Sequence, residues 1–250
     1  MELKRKKFQG VLNILSFNRH FYIYGLLALT LITTLFLYFN WPLLILKIIM
    51  LAFLYGLLMP LIISAYVYDY SGYYNFNWLK KYNLKDSKNQ LILNINAGFD
   101  ETSFSIKEKF PLSKLQVYDF YNSNNHTEPA IVRARKVTNQ YPNTKQISTT
   151  KIPLKDNCVD VIFLLSAAHE IRSNLEKIQF LKECDRVCKT NGKIIIVEHL
   201  RDIPNFFAFS IGFTHFFSKK TWINVIKKAG FNTILEHKFT PFMSVFSFNN

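Results

Sequence analysis

Glycine and cysteine are scarce in this chain, and what is missing narrows the reading first. The eight glycines nowhere take the three-glycine spacing of a dinucleotide fingerprint, which ranks a nicotinamide-dependent reductase last. The three cysteines, Cys158, Cys184 and Cys188, form no paired ligand framework, so no metal site is read from them. Cys184 and Cys188 share a helical face at i, i+4 as small packing residues. No repeat or low-complexity segment is present. No charge interrupts the 19 residues from Phe21 to Phe39, a length that spans roughly 28 Å as a helix against roughly 30 Å of bilayer hydrocarbon.

A second apolar run, Leu43 to Tyr68, carries only Lys47, close enough to its end for the ammonium to reach headgroups. The basic start resembles a signal peptide, but the run is long, no small-x-small cleavage site follows, and a second span comes at once. The reading is therefore an uncleaved transmembrane hairpin over residues 1–72, with spans at about 21–39 and 43–68. A buried hairpin of a soluble protein is the alternative. Lys4, Arg5, Lys6, Lys7 and Arg19 precede the first span, Lys80, Lys81, Lys85 and Lys88 follow the second, and the loop Asn40-Trp41-Pro42 has no charge. The positive-inside bias then puts both termini and the downstream domain in the cytoplasm, where the cysteines stay reduced. The net charge of +14 is dispersed and belongs to no nucleic-acid module, so anionic lipid headgroups are the expected partner and nucleic acid is not.

Residues 73–250 alternate strand and helix signals. Tyr73 to Tyr82 reads as an amphipathic helix on the bilayer surface or capping the domain. Strands are expected at Leu91–Ile95, Lys114–Tyr118, Thr144–Ser148, Val159–Leu165 and Lys193–His199, then at Phe231–Glu236 and Phe242–Phe248. Helices are expected at Glu128–Asn139, at Asn174–Lys189 with a stop at Asn191-Gly192, and at Ser218–Ala229 with Ser218 as N-cap. The fold class is α/β, a doubly wound, mostly parallel sheet with an antiparallel C-terminal strand.

Four segments, in order, carry a family resemblance: LILNINAGFD, VYDFYN, IPLKDNCVDVIFLLSAAHEIR and LKECDRVCKTNGKIIIVEHLRD. With the closing KKAGF, they resemble the class I S-adenosylmethionine-dependent methyltransferases acting on small-molecule and lipid substrates, over about residues 85–250. The resemblance implies a seven-stranded Rossmann-like sheet, S-adenosyl-L-methionine as cofactor and a methyl acceptor that is lipid-like or membrane-associated. It implies that Asp119 accepts from the ribose hydroxyls, and that Asn94, Asn96, Ala97, Gly98, Phe120, Ser148, Thr149 and Ser166 line the cofactor. His169 is the candidate base, with Glu170 either orienting it or pairing with Arg172. His199, His215 and Phe216 fall on the acceptor side, and the aromatic segment Asn205–Phe217 is a candidate lid. Asn96 and Asp100 depart from the family's glycines, and Ser148-Thr149 stands where an adenine-binding aspartate is usual. The alternative these departures support is a non-catalytic membrane scaffold on a degenerate domain.

Overall fold

A computed structural model describes residues 5–124, 129–137 and 140–249. The chain opens with three helices, α1 (Gln9–Phe17), α2 (Arg19–Tyr38) and α3 (Leu43–Ser64), the last continuing into a π-helical turn, Ala65–Tyr70. In α2 only Phe36 is buried, and in α3 only Leu46, Leu57, Ile63 and Ser64. Most of the remaining side chains are apolar and exposed or only half-buried, a pattern compatible with helices that face lipid. The helix α1 was not expected from the sequence. Its Gly10 lies so close to the end of α3 that a Cβ there would come within 2.8 Å of Tyr68 Cβ.

Seven strands form one sheet: β1 (Leu91–Asn96), β2 (Lys114–Asp119), β3 (Lys145–Gln146), β4 (Val159–Leu165), β5 (Cys188–His199), β6 (Thr233–Thr240) and β7 (Met243–Asn249). Their order is β3-β2-β1-β4-β5-β7-β6, and only the pairs made by β7 are antiparallel. The expected doubly wound sheet with an antiparallel C-terminal strand is therefore what forms. The central strands are buried on both faces, which is why their sequences read as unbroken apolar runs. Helices α4 (Ser103–Lys109), α5 (Pro129–Val137), α6 (Asn174–Val187), α7 (Ile203–Phe209) and α8 (Lys219–Lys228) connect them. Ser218 caps α8 by accepting from Thr221 N, as its position predicts.

One layer beside the sheet is α6 and α8, whose Phe180, Leu181, Trp222 and Val225 pack on Ile162, Leu164, Ile194 and Ile196. The other layer departs from expectation. Tyr73–Tyr82 is not an amphipathic helix on the bilayer: it folds as two 3₁₀ turns, Tyr73–Asn75 and Asn77–Tyr82. Tyr73, Phe76, Trp78, Leu79 and Tyr82 are buried with Ile63 and Val67 against Ile92, Phe163, Ile195 and Val245. Aromatic residues at five of ten positions point to too many sides for an interfacial helix, and the uncovered sheet face takes them instead. Core contacts thus run across the boundary drawn at residue 72.

Smaller differences have local causes. Asn191-Gly192 is no helix stop but lies inside β5, which begins at Cys188 opposite Val159 before a register shift. The third strand shrinks to Lys145–Gln146 at the sheet edge. The strand after α8 starts at Thr233, two residues later than expected, because Gly230, at φ +117, first ends the turn after α8, and the last strand runs over Met243–Asn249. Of the helix expected at Glu128–Asn139, Glu128, Thr138 and Asn139 lie outside the described residues.

Candidate active site

Parallel pairing aligns the carboxyl ends of the central strands, with Asn96 opposite Asp119 and Leu165 opposite Val197. Ligands of open α/β sheets bind along that edge. At the end of β1 the Asn96 side chain folds back, its Oδ1 accepting from Gly98 N at 2.9 Å, and the left-handed φ falls on Gly98, at +91. Asn96 therefore needs no left-handed backbone. Asp100 Oδ1 accepts from Thr102 N and Ser103 N, both at 3.0 Å, and so caps the start of α4. Two buried polar atoms of this turn have no hydrogen-bond partner among the described residues, the donor Asn96 Nδ2 and the acceptor Asp100 Oδ2. Burial raises the Asp100 pKa against the hydrogen bonds from Ser103 and Thr102. Ala97 is buried beside them. Asn94, expected to face the ligand, instead donates to Thr102 Oγ1 and Ser103 Oγ and ties β1 to α4.

Asp119 ends β2 with its carboxylate 1% exposed. Oδ1 accepts from Tyr121 N at 2.8 Å and Oδ2 from Arg135 Nη1 at 2.7 Å. The Arg135 guanidinium, carried by α5, lies 4.1 Å over the Tyr121 ring. It also lies against Gly98, where a Cβ would come within 2.6 Å of Nη1. Phe120 does not line this space: its ring packs on Phe180 in the core. Ser148 bonds Thr150 Oγ1, and Thr149 donates to Glu176 Oε1 at 2.7 Å at the start of α6. Helix α1 roofs the turn, with Phe17 edge-on to Phe99 at 5.2 Å. Arg5 and Asn13 donate to Glu101 at 2.6 and 2.8 Å.

The loop after β4 starts at Ser166, whose φ is +51 and whose hydroxyl lies 3.3 Å from that of Tyr73. His169 follows. Its Nδ1 is 2.6 Å from Glu198 Oε2, its backbone N donates to Glu198 Oε1, and its Nε2 is 3.3 Å from Glu170 Oε1. Burial opposes charge on this ring, but Glu198 and Glu170 outweigh it and push the pKa up to about 10. Glu170 also lies 3.9 Å from His215 Nε2. Burial, then the neighbouring His169, pushes the His215 pKa down to about 4.

His199, one residue after Glu198, points through the other face of the sheet. Its Nδ1 faces two acceptors, Phe242 O and Asn205 Oδ1, and so carries the proton, while Nε2 accepts from Tyr68 OH at 2.9 Å. Phe216 stacks on it at 4.9 Å. Both nitrogens are thus engaged by the protein, and burial pushes the pKa down to about 4. Glu198 was not singled out from the sequence, although strand alternation puts it opposite in face to His199 and beside the loop after β4.

Residues 112–196, about a third of the chain, match the family described as "Methyltransferase domain". This stretch is similar to a methyltransferase domain, and the sheet around it has the fold of the class I S-adenosylmethionine-dependent methyltransferases. Among solved structures, human N-acetylserotonin methyltransferase in complex with S-adenosylmethionine is similar at 14% identity and TM-score 0.51, covering 78% of this chain and 55% of its own. A SAM-dependent methyltransferase from Aquifex aeolicus is similar at 20% identity and TM-score 0.49, covering 72% and 93%. At these identities the structural likeness concerns the fold. No curated protein matches the chain.

The turn of this methyltransferase domain has the chemistry that S-adenosylmethionine requires. Asn96 Nδ2 and Asp100 Oδ2 are an orphaned donor and acceptor in one buried turn, a complement for the carboxylate and ammonium of an amino-acid moiety. Asp119 supplies a carboxylate for a diol. The space over Gly98 is filled by side chains, Arg135 and the Cβ of Tyr121, rather than by backbone. The donor and acceptor set fits the cofactor, and its ribose side would require the Arg135 guanidinium to leave Asp119.

Proposed function

We propose that this methyltransferase is anchored in a bilayer by α2 and α3 and methylates a lipid-like or membrane-associated acceptor. The observation that carries this reading is the seat of the lid. Helix α7 and the 3₁₀ turn Ser210–His215 pack beside α3, with Tyr55 OH donating to Phe207 O at 2.7 Å. Ile203, Phe206, Phe207 and Ile211 are exposed on this lid, forming an apolar surface continuous with that of the spans. A bilayer would cover both, and an apolar acceptor would pass from lipid to the carboxyl edge of the sheet without crossing water. The basic residues flanking the spans favour anionic headgroups and a cytoplasmic domain.

When bound, the cofactor supplies the electrophilic methyl group, and the domain's own part is positioning. In this reading Asn96, Asp100 and Asp119 hold the cofactor, Glu198 fixes the His169 ring, and Phe216 with the lid excludes water. The test uses the full chain in lipid nanodiscs: S-adenosylhomocysteine binds by calorimetry, and labelled S-adenosylmethionine with a total lipid extract gives a labelled organic-phase product. Binding with label confined to water-soluble acceptors would overturn the lipid assignment.

The scaffold alternative has one observation in its favour, the Arg135 guanidinium seated on Asp119. Absence of cofactor binding in a folded chain would establish that alternative.

A further inference from the structure

Two histidines and a carboxylate meet where the loop after β4 touches the lid; His169 and Glu170 are adjacent but His215 is far along the chain, and no ligand spacing announced them. His169 Nε2 and Glu170 Oε1 are 3.3 Å apart, Glu170 Oε1 and His215 Nε2 are 3.9 Å apart, and one ligand atom from each residue lies within 4.8 Å of the others. Three donors bound at about 2.0–2.1 Å to one tetrahedral ion stand about 3.3 Å from one another. The cluster is therefore near a coordinating arrangement, which an ion would complete by displacing the Nε2 proton that now faces Glu170 and by drawing the three donors together. We propose that His169, Glu170 and His215 form a site for a divalent first-row transition ion of the Zn2+ class, held at the junction of the β4 loop and the lid.

A second observation separates this cluster from a chance gathering of polar groups. Metal-ligating histidines typically give their other ring N–H to a carboxylate, which fixes the tautomer and turns the free nitrogen toward the metal. His169 does this with Glu198, a carboxylate 1% exposed that also accepts from the His169 backbone N. Arg172 Nη1 donates to both His169 O and His215 O, at 3.2 and 2.8 Å, and so joins the backbones of the two histidine ligands. Imidazole nitrogens with one carboxylate select zinc, iron, cobalt or nickel over magnesium and calcium. Three protein ligands leave a position open, as catalytic rather than structural sites do. If the methyl-transfer reading holds, that position suits an acceptor hydroxyl, whose oxygen the ion would make more acidic.

The test measures the ion alone, without cofactor or acceptor, so its failure and that of the methyl-transfer reading are distinguishable. The detergent-solubilised full chain is stripped with chelator and titrated with Co2+, read by visible absorption, and with Zn2+, read by competition and elemental analysis. One equivalent is expected, with cobalt bands of a four- or five-coordinate nitrogen and oxygen site. His215→Ala is expected to abolish the bands, and Glu198→Gln to weaken affinity about 10- to 100-fold while leaving one equivalent at saturation. Circular dichroism of each variant checks that it is folded, and Glu170→Gln serves as a second ligand variant if His215→Ala unfolds. No bound ion in the folded wild-type chain, or Zn2+ affinity indifferent to both ligand variants, would overturn the site.

Discussion

Asp119 and Arg135 set the competition that governs the cofactor cradle. A carboxylate 1% exposed needs its partner, so a ribose diol held by Asp119 in the proposed reading would have to replace a charged hydrogen bond of about 1.5–3 kcal/mol. Asp119→Ala is expected to weaken S-adenosylhomocysteine binding by roughly that amount, and Arg135→Ala to tighten it by about tenfold, both read by calorimetry. Equal weakening in both would show that Arg135 holds the cofactor instead of competing with it. His199 makes a separate prediction. Its ordinary pKa near 6.5 falls to about 4 in the folded chain, so its stabilising contribution is complete above pH 6.5 and is lost as pH drops from 6.5 toward 4, by up to about 3 kcal/mol. His215 moves in the same direction. Melting temperatures in detergent should fall between pH 7 and 5 and fall less in His199→Gln. At this scale the place of Asp119 at the carboxyl end of a strand was legible, because an apolar run stops there. Arg135 was not, because nothing in PAIVRARKV says which way one arginine of a short helix turns.

Strands and helices were legible where period and caps agree, as in the Ser218 cap of α8 and the apolar run of β5. They failed where tertiary packing overrode local pattern. The segment QGVLNILSF carries no charge and little length, so its helix is stabilised by docking and not by propensity. That docking depends on Gly10: its N donates to Asp69 Oδ1 at 3.0 Å, and a Cβ would come within 3.0 Å of Ser64 O, a backbone atom that cannot turn aside. Gly10→Val is expected to lift α1 off α3 and off Phe99, exposing the turn after β1. Hydrogen exchange over residues 97–103 should rise at least several-fold in the variant while β4 and β5 keep wild-type protection. Unchanged exchange in that turn would mean that α1 does not roof the cofactor cradle.

For the whole molecule, the boundary between the apolar N-terminal helices and the sheet domain is the decisive feature, because long apolar runs are obvious in sequence while the layer that follows them looks like a linker. The spacing of Tyr73, Phe76, Trp78, Leu79 and Tyr82 fits neither a strand nor a regular amphipathic helix, so its burial could be inferred only from the sheet it covers. Five large side chains, each stabilising by roughly 1.5–3 kcal/mol when buried, together match the roughly 5–15 kcal/mol that separates a folded domain from its unfolded chain. A chain cut to residues 84–250 keeps every strand and the whole resemblance to its family, yet it leaves Ile92, Phe163, Ile195 and Val245 uncovered. It is expected to be aggregated or molten, without a cooperative melt. The longer piece 73–250 restores the five side chains but not Ile63, Val67 or the Tyr68 hydroxyl on His199, and should melt cooperatively but below the full chain. If 84–250 melts as sharply and as high as 73–250, the segment 73–83 is a tether and not part of the core.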